Sequence, residues 1–127
     1  MTNEEIKKIS KGFFSKHELE CRCGYHTGDD SCKIDFDFLK KLLQLRVLVD
    51  RPILINSGYR CEKHLLKSEN HASGKAVDIR CLNSSERYEI IKNALKIGVN
   101  RIGVHKDFVH IDCNPNNKLE VFWLYEK

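Results

Sequence analysis

The sequence predicts an α+β fold, a small and mainly antiparallel sheet flanked by helices. Three observations predict it. Two stretches, residues 36–49 and 87–97, carry apolar residues at helical spacing and end at stop signals. Residues 76–81, 101–105 and 108–113 are short and alternate in strand fashion. Strands follow one another without a regular β-α-β alternation, which argues against a parallel sheet.

Each element follows from its residues. Residues 3–11 predict a short helix with Asn3 as its cap and Ile6 and Ile9 as its apolar stripe. Residues 18–33 are rich in Cys, Gly, Asp and His and show no period, so they read as a loop held by local contacts. Asp35 can cap the helix over 36–49. Leu39, Leu42, Leu43 and Arg46 fall at helical spacing there, and Pro52 stops any continuation. Residues 52–56 are branched and apolar and predict a strand; residues 57–60 turn out of it. Residues 61–74 are polar and loop-like, with one helical turn near 62–66.

In the strand over 76–81, Val77 and Ile79 share one face, and Ala76, Asp78 and Arg80 share the other. Asn83 and Glu86 form a capping box before the helix over 87–97. Its buried stripe is Ile90, Ile91, Ala94 and Leu95, and Gly98 ends it. The strands over 101–105 and 108–113 join at Lys106-Asp107. Val109 and Ile111 face one way, and Phe108, His110 and Asp112 the other. A last strand covers 120–125. There are no repeats, low-complexity tracts or linkers, so residues 1–127 are expected to form a single domain and to act as a monomer.

The chain is 41% hydrophobic and 31% charged, as a globular protein should be. A net charge of +4 is mild. It reads either as a solvated surface or as loose attraction to an anionic polymer such as a bacterial cell wall. Arginine clusters interleaved with aromatics are missing, which excludes nucleic acid as the expected partner. No apolar run approaches a membrane span or a signal peptide, so synthesis as a cytoplasmic protein is expected.

Chemistry concentrates in His71, Asp78 and His110. Two imidazoles and a carboxylate are the ligand set of an open zinc site, with one position left for water, and so point to hydrolysis. A loop His followed by a strand Asp accounts for their spacing, with Gly74 supplying the bend. The bland alternative is a loop His, a turn Asp and a satisfied strand His. Asp107, three residues before His110, could move protons as a general base; otherwise it is a turn residue. His105 is a second base candidate, or a surface His at a strand end. Arg60, at the exit of a strand, could clamp a carboxylate or an oxyanion, or form a surface salt bridge. Trp123 and Tyr125 share a strand face, either as core or as a groove wall.

Six cysteines are present. Cys21, Cys23, His26 and Cys32 could hold a second, structural metal, although the spacing is not C-x-x-C; scattered thiols or a disulfide are the alternatives. Cys61, Cys81 and Cys113 read as buried small hydrophobes.

The ordered set Asn56-Ser-Gly-Tyr-Arg60, His71-x-x-Gly74-x-Ala76-x-Asp78-Ile79 and Asp107-Phe-Val-His110-Ile-Asp112 resembles the VanY/endolysin-type zinc D,D-carboxypeptidases and L-alanyl-D-glutamate endopeptidases. These belong to the LAS group, which shares the hedgehog/DD-peptidase fold. The likeness covers residues 13–113, including Phe14-Ser-x-x-Glu18-Leu and Cys21-x-Cys23-Gly. It implies zinc held by His71, Asp78 and His110, with Asp107 as general base and Arg60 on substrate or transition state. It implies peptidoglycan peptide stems as substrate, met at the cell wall after release. Two rivals stand beside this: a non-catalytic zinc-containing wall-binding module of the same fold, and a disulfide-stabilised interaction domain. The chain departs from the pattern at Glu69, where relatives carry Ser, with Ser68 one position earlier. Cys61, Cys81 and Cys113 also lie outside the pattern.

Overall fold

The computed structural model describes residues 1–26, 28–61 and 69–125. Helix α1 (Asn3–Ile9) opens the chain. Its cap is Thr2 rather than Asn3: the Thr2 hydroxyl accepts from the Glu5 amide and Glu5 accepts from the Thr2 amide. Asn3 instead accepts from the Lys16 amide, tying α1 to the short helix α2 (Lys16–Leu19). The expected loop over 18–33 thus begins inside α2 and later contains a 3-10 turn, Asp29–Ser31.

Helix α3 (Phe36–Val49) has the expected bounds and cap, with the Asp35 carboxylate accepting from the Phe38 amide at 3.0 Å. Strand β1 (Ile55–Ser57) is shorter than expected, with Pro52 and Ile53 outside it. Helix α4 (Glu69–Ala72) follows; the expected turn near 62–66 lies outside the described residues. Then come β2 (Ala76–Arg80), α5 (Ser84–Lys96), β3 (Arg101–Val104), β4 (Phe108–Asp112) and β5 (Val121–Leu124). Asn93 takes the buried place expected of Leu95 in α5, because its amide can donate to the Glu89 carbonyl within the helix. Leu95 is exposed.

The sheet order is β1-β2-β4-β3-β5, and every pairing is antiparallel except β3 with β5. The exception has a simple cause. Both edges of β4 are already occupied, by β2 and β3, and the chain leaving β4 adds to the neighbouring free edge of β3. Running back against β4 makes β5 parallel to β3. Strand alternation then separates the two sheet faces. Val77, Ile79, Ile102, Val109 and Ile111 face the core formed with Ile6, Phe38, Leu42, Leu45, Ile90 and Ala94 of the helices. Cys32 lies in this core and not beside Cys21 and Cys23, which overturns the expected grouping of those three thiols. Among the described residues, no helix is long and apolar enough to cross a membrane.

Asp35 does more than cap α3. Its amide donates to the Gly74 carbonyl and its carboxylate pairs with Lys75 at 2.9 Å, so the start of α3 grips the turn that leads into β2. Gly74 has φ +74°, and a Cβ there would collide with the Lys33 carbonyl oxygen, so only glycine fits the turn. Partial burial opposes ionisation of Asp35, but the Lys75 ammonium and the Phe38 amide outweigh it and hold its carboxyl below the ordinary range. Asp35→Ala should cost about 1 kcal/mol through the lost cap, read by chemical denaturation. Asp35→Asn keeps a capping oxygen and loses only the charge. Because the folded pKa is lowered, the charge stabilises above the unfolded value and ceases to as pH falls through the folded one. The stability gap between wild type and Asp35→Asn should therefore close in acid; a gap that persists there would show that the charge is not its cause.

Candidate metal centre

The strand register places Ser57, Asp78, His110, Gly103 and Trp123 in one row across the sheet, on the face opposite the core. His71 reaches the row from α4. Its Nδ1 is 2.7 Å from the Gly58 carbonyl oxygen, which can only accept, so Nδ1 carries the proton and Nε2 keeps a lone pair. That Nε2 lies 3.5 Å from Asp78 Oδ1. On the other side, His110 Nδ1 is 2.9 Å from the same Oδ1, and His110 Nε2 is 2.8 Å from Asp112 Oδ2. All three residues are buried, and one donor atom from each lies within 4.8 Å of the others.

The donor set suits a divalent cation. Each imidazole has one nitrogen fixed by an outer partner, the Gly58 carbonyl for His71 and the Asp112 carboxylate for His110, and the other nitrogen turned towards Asp78. That is how metal-binding histidines are held. Burial opposes ionisation of Asp78, but the His110 hydrogen bond and the neighbouring His71 imidazole outweigh it and hold its carboxyl well below the usual range. Burial likewise opposes charge on His110, yet Asp112 and Asp78 raise its pKa above the ordinary imidazole value. A proton shared between His110 and Asp78 occupies the place a metal would take, so metal binding should weaken as pH falls.

The sequence puts Asp112 on the His110 face but assigns neither it nor Arg101 a role; the two complete the support. Arg101 Nε donates to Asp112 Oδ1 at 2.8 Å, its Nη1 donates to the Lys118 carbonyl at 2.6 Å, and its guanidinium lies 5.0 Å from the Trp123 ring centroid. Strand alternation was the available signal: Asp112 lies two residues beyond His110 and must share its face. Gly103 is the row's one position without a side chain. A Cβ there would come within 2.5 Å of the Trp123 indole, so the glycine lets that ring lie against the sheet with its centroid 5.3 Å from that of His110. Tyr125 continues the aromatic surface, at 6.3 Å from Trp123 and 5.2 Å from Phe108, and remains part-exposed. Neither ring belongs to the buried core, which corrects the core expectation for this pair.

Arg60 reaches the same centre. Its Nη2 donates to Asp78 Oδ2 at 3.2 Å and its Nε to Ser57 Oγ at 2.8 Å, with the side chain only 17% exposed. Asp107 does not. Its side chain is 69% exposed just before β4, and among the described residues no hydrogen bond or ion pair joins it to His71, Asp78 or His110. Its closest ionic neighbour is His105 Nδ1, at 3.9 Å. His105 is packed rather than on the surface, stacked on Phe108 at 4.4 Å with its Nδ1 accepting the Asp107 amide. Glu69 opens α4, and Ser68 lies outside the described residues.

A family model described as Peptidase M15 matches residues 12–112. The chain belongs to the peptidase M15 family. No curated protein matches it. Peptidases of this family depend on a metal, and the matched span contains His71, Asp78 and His110, the group here able to bind one. Membership therefore makes the centre that of a metallopeptidase fold.

Asp112→Asn keeps the volume but leaves Arg101 without its charge partner, and leaves one acceptor oxygen for which Arg101 and His110 must compete. It should lower metal affinity about 10- to 100-fold, read by chelator competition. It should also cost roughly 3 kcal/mol of stability, read by denaturation. Unchanged affinity would show that Asp112 serves packing alone.

Proposed function

We propose that this chain is a zinc-dependent peptidase, acting as a monomeric single domain, that hydrolyses the peptide stems of bacterial peptidoglycan at the cell wall. In this reading it is a lysin-like D,D-carboxypeptidase or L-alanyl-D-glutamate endopeptidase. One observation carries it: two imidazole nitrogens with fixed orientation converge on the Asp78 carboxylate, and a cation, Arg60, stands beside them. His71, Asp78 and His110 would hold the zinc, which supplies Lewis acidity and a water acidified towards neutrality.

The remaining roles fall to the chain's own side chains. Arg60 is placed to bind a stem carboxylate or the negative oxygen that develops at the scissile carbonyl. Its Ser57 contact fixes the fork that would do so. Asp107 takes a proton from the attacking water and returns it to the departing amine. Its support is its position three residues before His110, at the open end of the strand that carries this ligand. Trp123 and Tyr125 form one wall against which a stem can lie.

A second reading, a non-catalytic zinc-containing wall-binding module, takes its support from the exposure of Asp107 and its distance from hydrogen-bonding contact with the three ligands. Digestion of purified muropeptides with and without chelator, with products identified by mass, separates the two. Cleavage that stops with chelator is expected, and the product masses name the bond. Stems bound but never cut would establish the module instead. Asp107→Ala should lower turnover about 10²- to 10⁴-fold with metal content unchanged; full activity would move the base elsewhere. His71→Ala should lose one metal per chain together with activity.

A further inference from the structure

A second group of ligand-type side chains lies away from this centre. Cys21, Cys23, His26 and Cys61 each offer a donor atom, all within 4.8 Å of one another. Cys61 Sγ is 3.6 Å from Cys21 Sγ and 3.5 Å from Cys23 Sγ. Those separations are far beyond the ~2.05 Å of a disulfide. They are close to the roughly 3.8 Å edge that four ligands make around zinc at a ~2.3 Å zinc–sulfur distance. Among the described residues no two cysteines are bonded to each other.

The histidine supplies an independent sign. His26 Nδ1 faces the Asp30 carboxylate at 3.4 Å, which favours the ring proton on that nitrogen. Its Nε2 is buried, and no hydrogen bond of ordinary geometry satisfies it among the described residues; the Cys61 thiol is its strongest electrostatic neighbour. A buried lone pair left so is costly unless something accepts it. The carboxylate on the outer nitrogen is the arrangement that orients a metal-binding imidazole.

We propose that Cys21, Cys23, His26 and Cys61 form a closed, tetrahedral, structural zinc site, separate from the His71–Asp78–His110 centre. Three thiolates and one imidazole fill the coordination sphere and leave no position for water, so the site is structural and not catalytic. Three of its ligands come from the irregular segment after α2. The fourth follows Arg60 directly, on the segment whose Gly58 carbonyl holds His71. Protein contacts already join the two segments: the Tyr59 amide donates to the Leu19 carbonyl at 2.9 Å, and Arg22 Nη1 donates to the Asn56 carbonyl at 3.2 Å. The ion would lock that junction and with it the backbone on either side of Arg60.

The test uses the full chain purified under reducing conditions. Elemental analysis should find two zinc ions per chain in the wild type and one in the His71→Ala/His110→Ala double variant. Cobalt loaded into that double variant should give a thiolate-to-cobalt charge-transfer band and the intense visible bands of a tetrahedral ion. Adding Cys23→Ser or Cys61→Ser should abolish the charge-transfer band, and adding Cys113→Ser should leave it. Should the serine variants fail to fold, the wild type still decides: a mercurial thiol reagent should release one zinc per chain to a colorimetric chelator. A cobalt spectrum without thiolate charge transfer, or mercurial treatment that frees no zinc, overturns the proposal. So does a mass two hydrogens short of the reduced chain, with Cys61 joined to Cys21 or Cys23. None of these readouts depends on peptidase activity, so this site can fail while the catalytic reading stands, and the reverse.

Discussion

A carboxylate buried between two imidazoles persists in a protein interior only when every polar atom around it has a partner. At Asp78 the partners are supplied by strand register. Pairing Asp78 with His110 across β2 and β4 brings their side chains together, and the next pair along, Ala76 with Asp112, brings the second carboxylate to the far side of the His110 ring. Arg101 then neutralises Asp112 from β3. A slip of one residue between β2 and β4 would turn all of these groups into the apolar face. Core and site thus enforce the same register: Val77, Ile79, Val109 and Ile111 need it on one side as much as Asp78 and His110 do on the other.

The parts outside the sheet serve that row by fixing the two segments that cannot be held by strand pairing. His71 lies on a one-turn helix too short to be stable alone. It is pinned at one end by the Gly58 carbonyl and at the other by the Asp35–Lys75 and Asp35–Gly74 contacts. Arg60 is held by Ser57 and by the carboxylate it neutralises. The centre is therefore preorganised from three directions, which is what a site acting on a rigid transition state needs.

Much of this was legible in the sequence, and the limits of legibility have a physical pattern. Features set by nearest neighbours could be read directly: the Asp35 cap, the Asn83 cap on the Glu86 amide, and the alternation that sends Asp78 and His110 away from Val77 and Val109. So could the three residues of the candidate centre, which the structure does bring together, because residue type restricts metal chemistry so strongly. What escaped depends on partners distant in the chain. Cys32 is nearer in sequence to Cys21 than Cys61 is, yet it is drawn into the main core, and Cys61 is delivered by the turn after β1. Nothing in the local pattern of β5 reveals that it pairs parallel to β3, since that depends on which sheet edge remains open. Asn93 is buried where the apolar pattern points to Leu95, since its amide finds an acceptor within the helix.

One consequence follows from the place of β5 at the border of the sheet. Asp78 and His110 sit on interior strands whose hydrogen bonds are shared on both sides, whereas Trp123 lies on an edge strand reached through the loop after β4, and Tyr125 just past its end. Chemistry and shape are thus carried by separable pieces of chain. The aromatic surface can be exchanged, lengthened or trimmed through β5 and its loop while the interior strands keep their pairing. A fold divided in this way can acquire a new preference for what it grips while the row of side chains on its interior strands stays as it is.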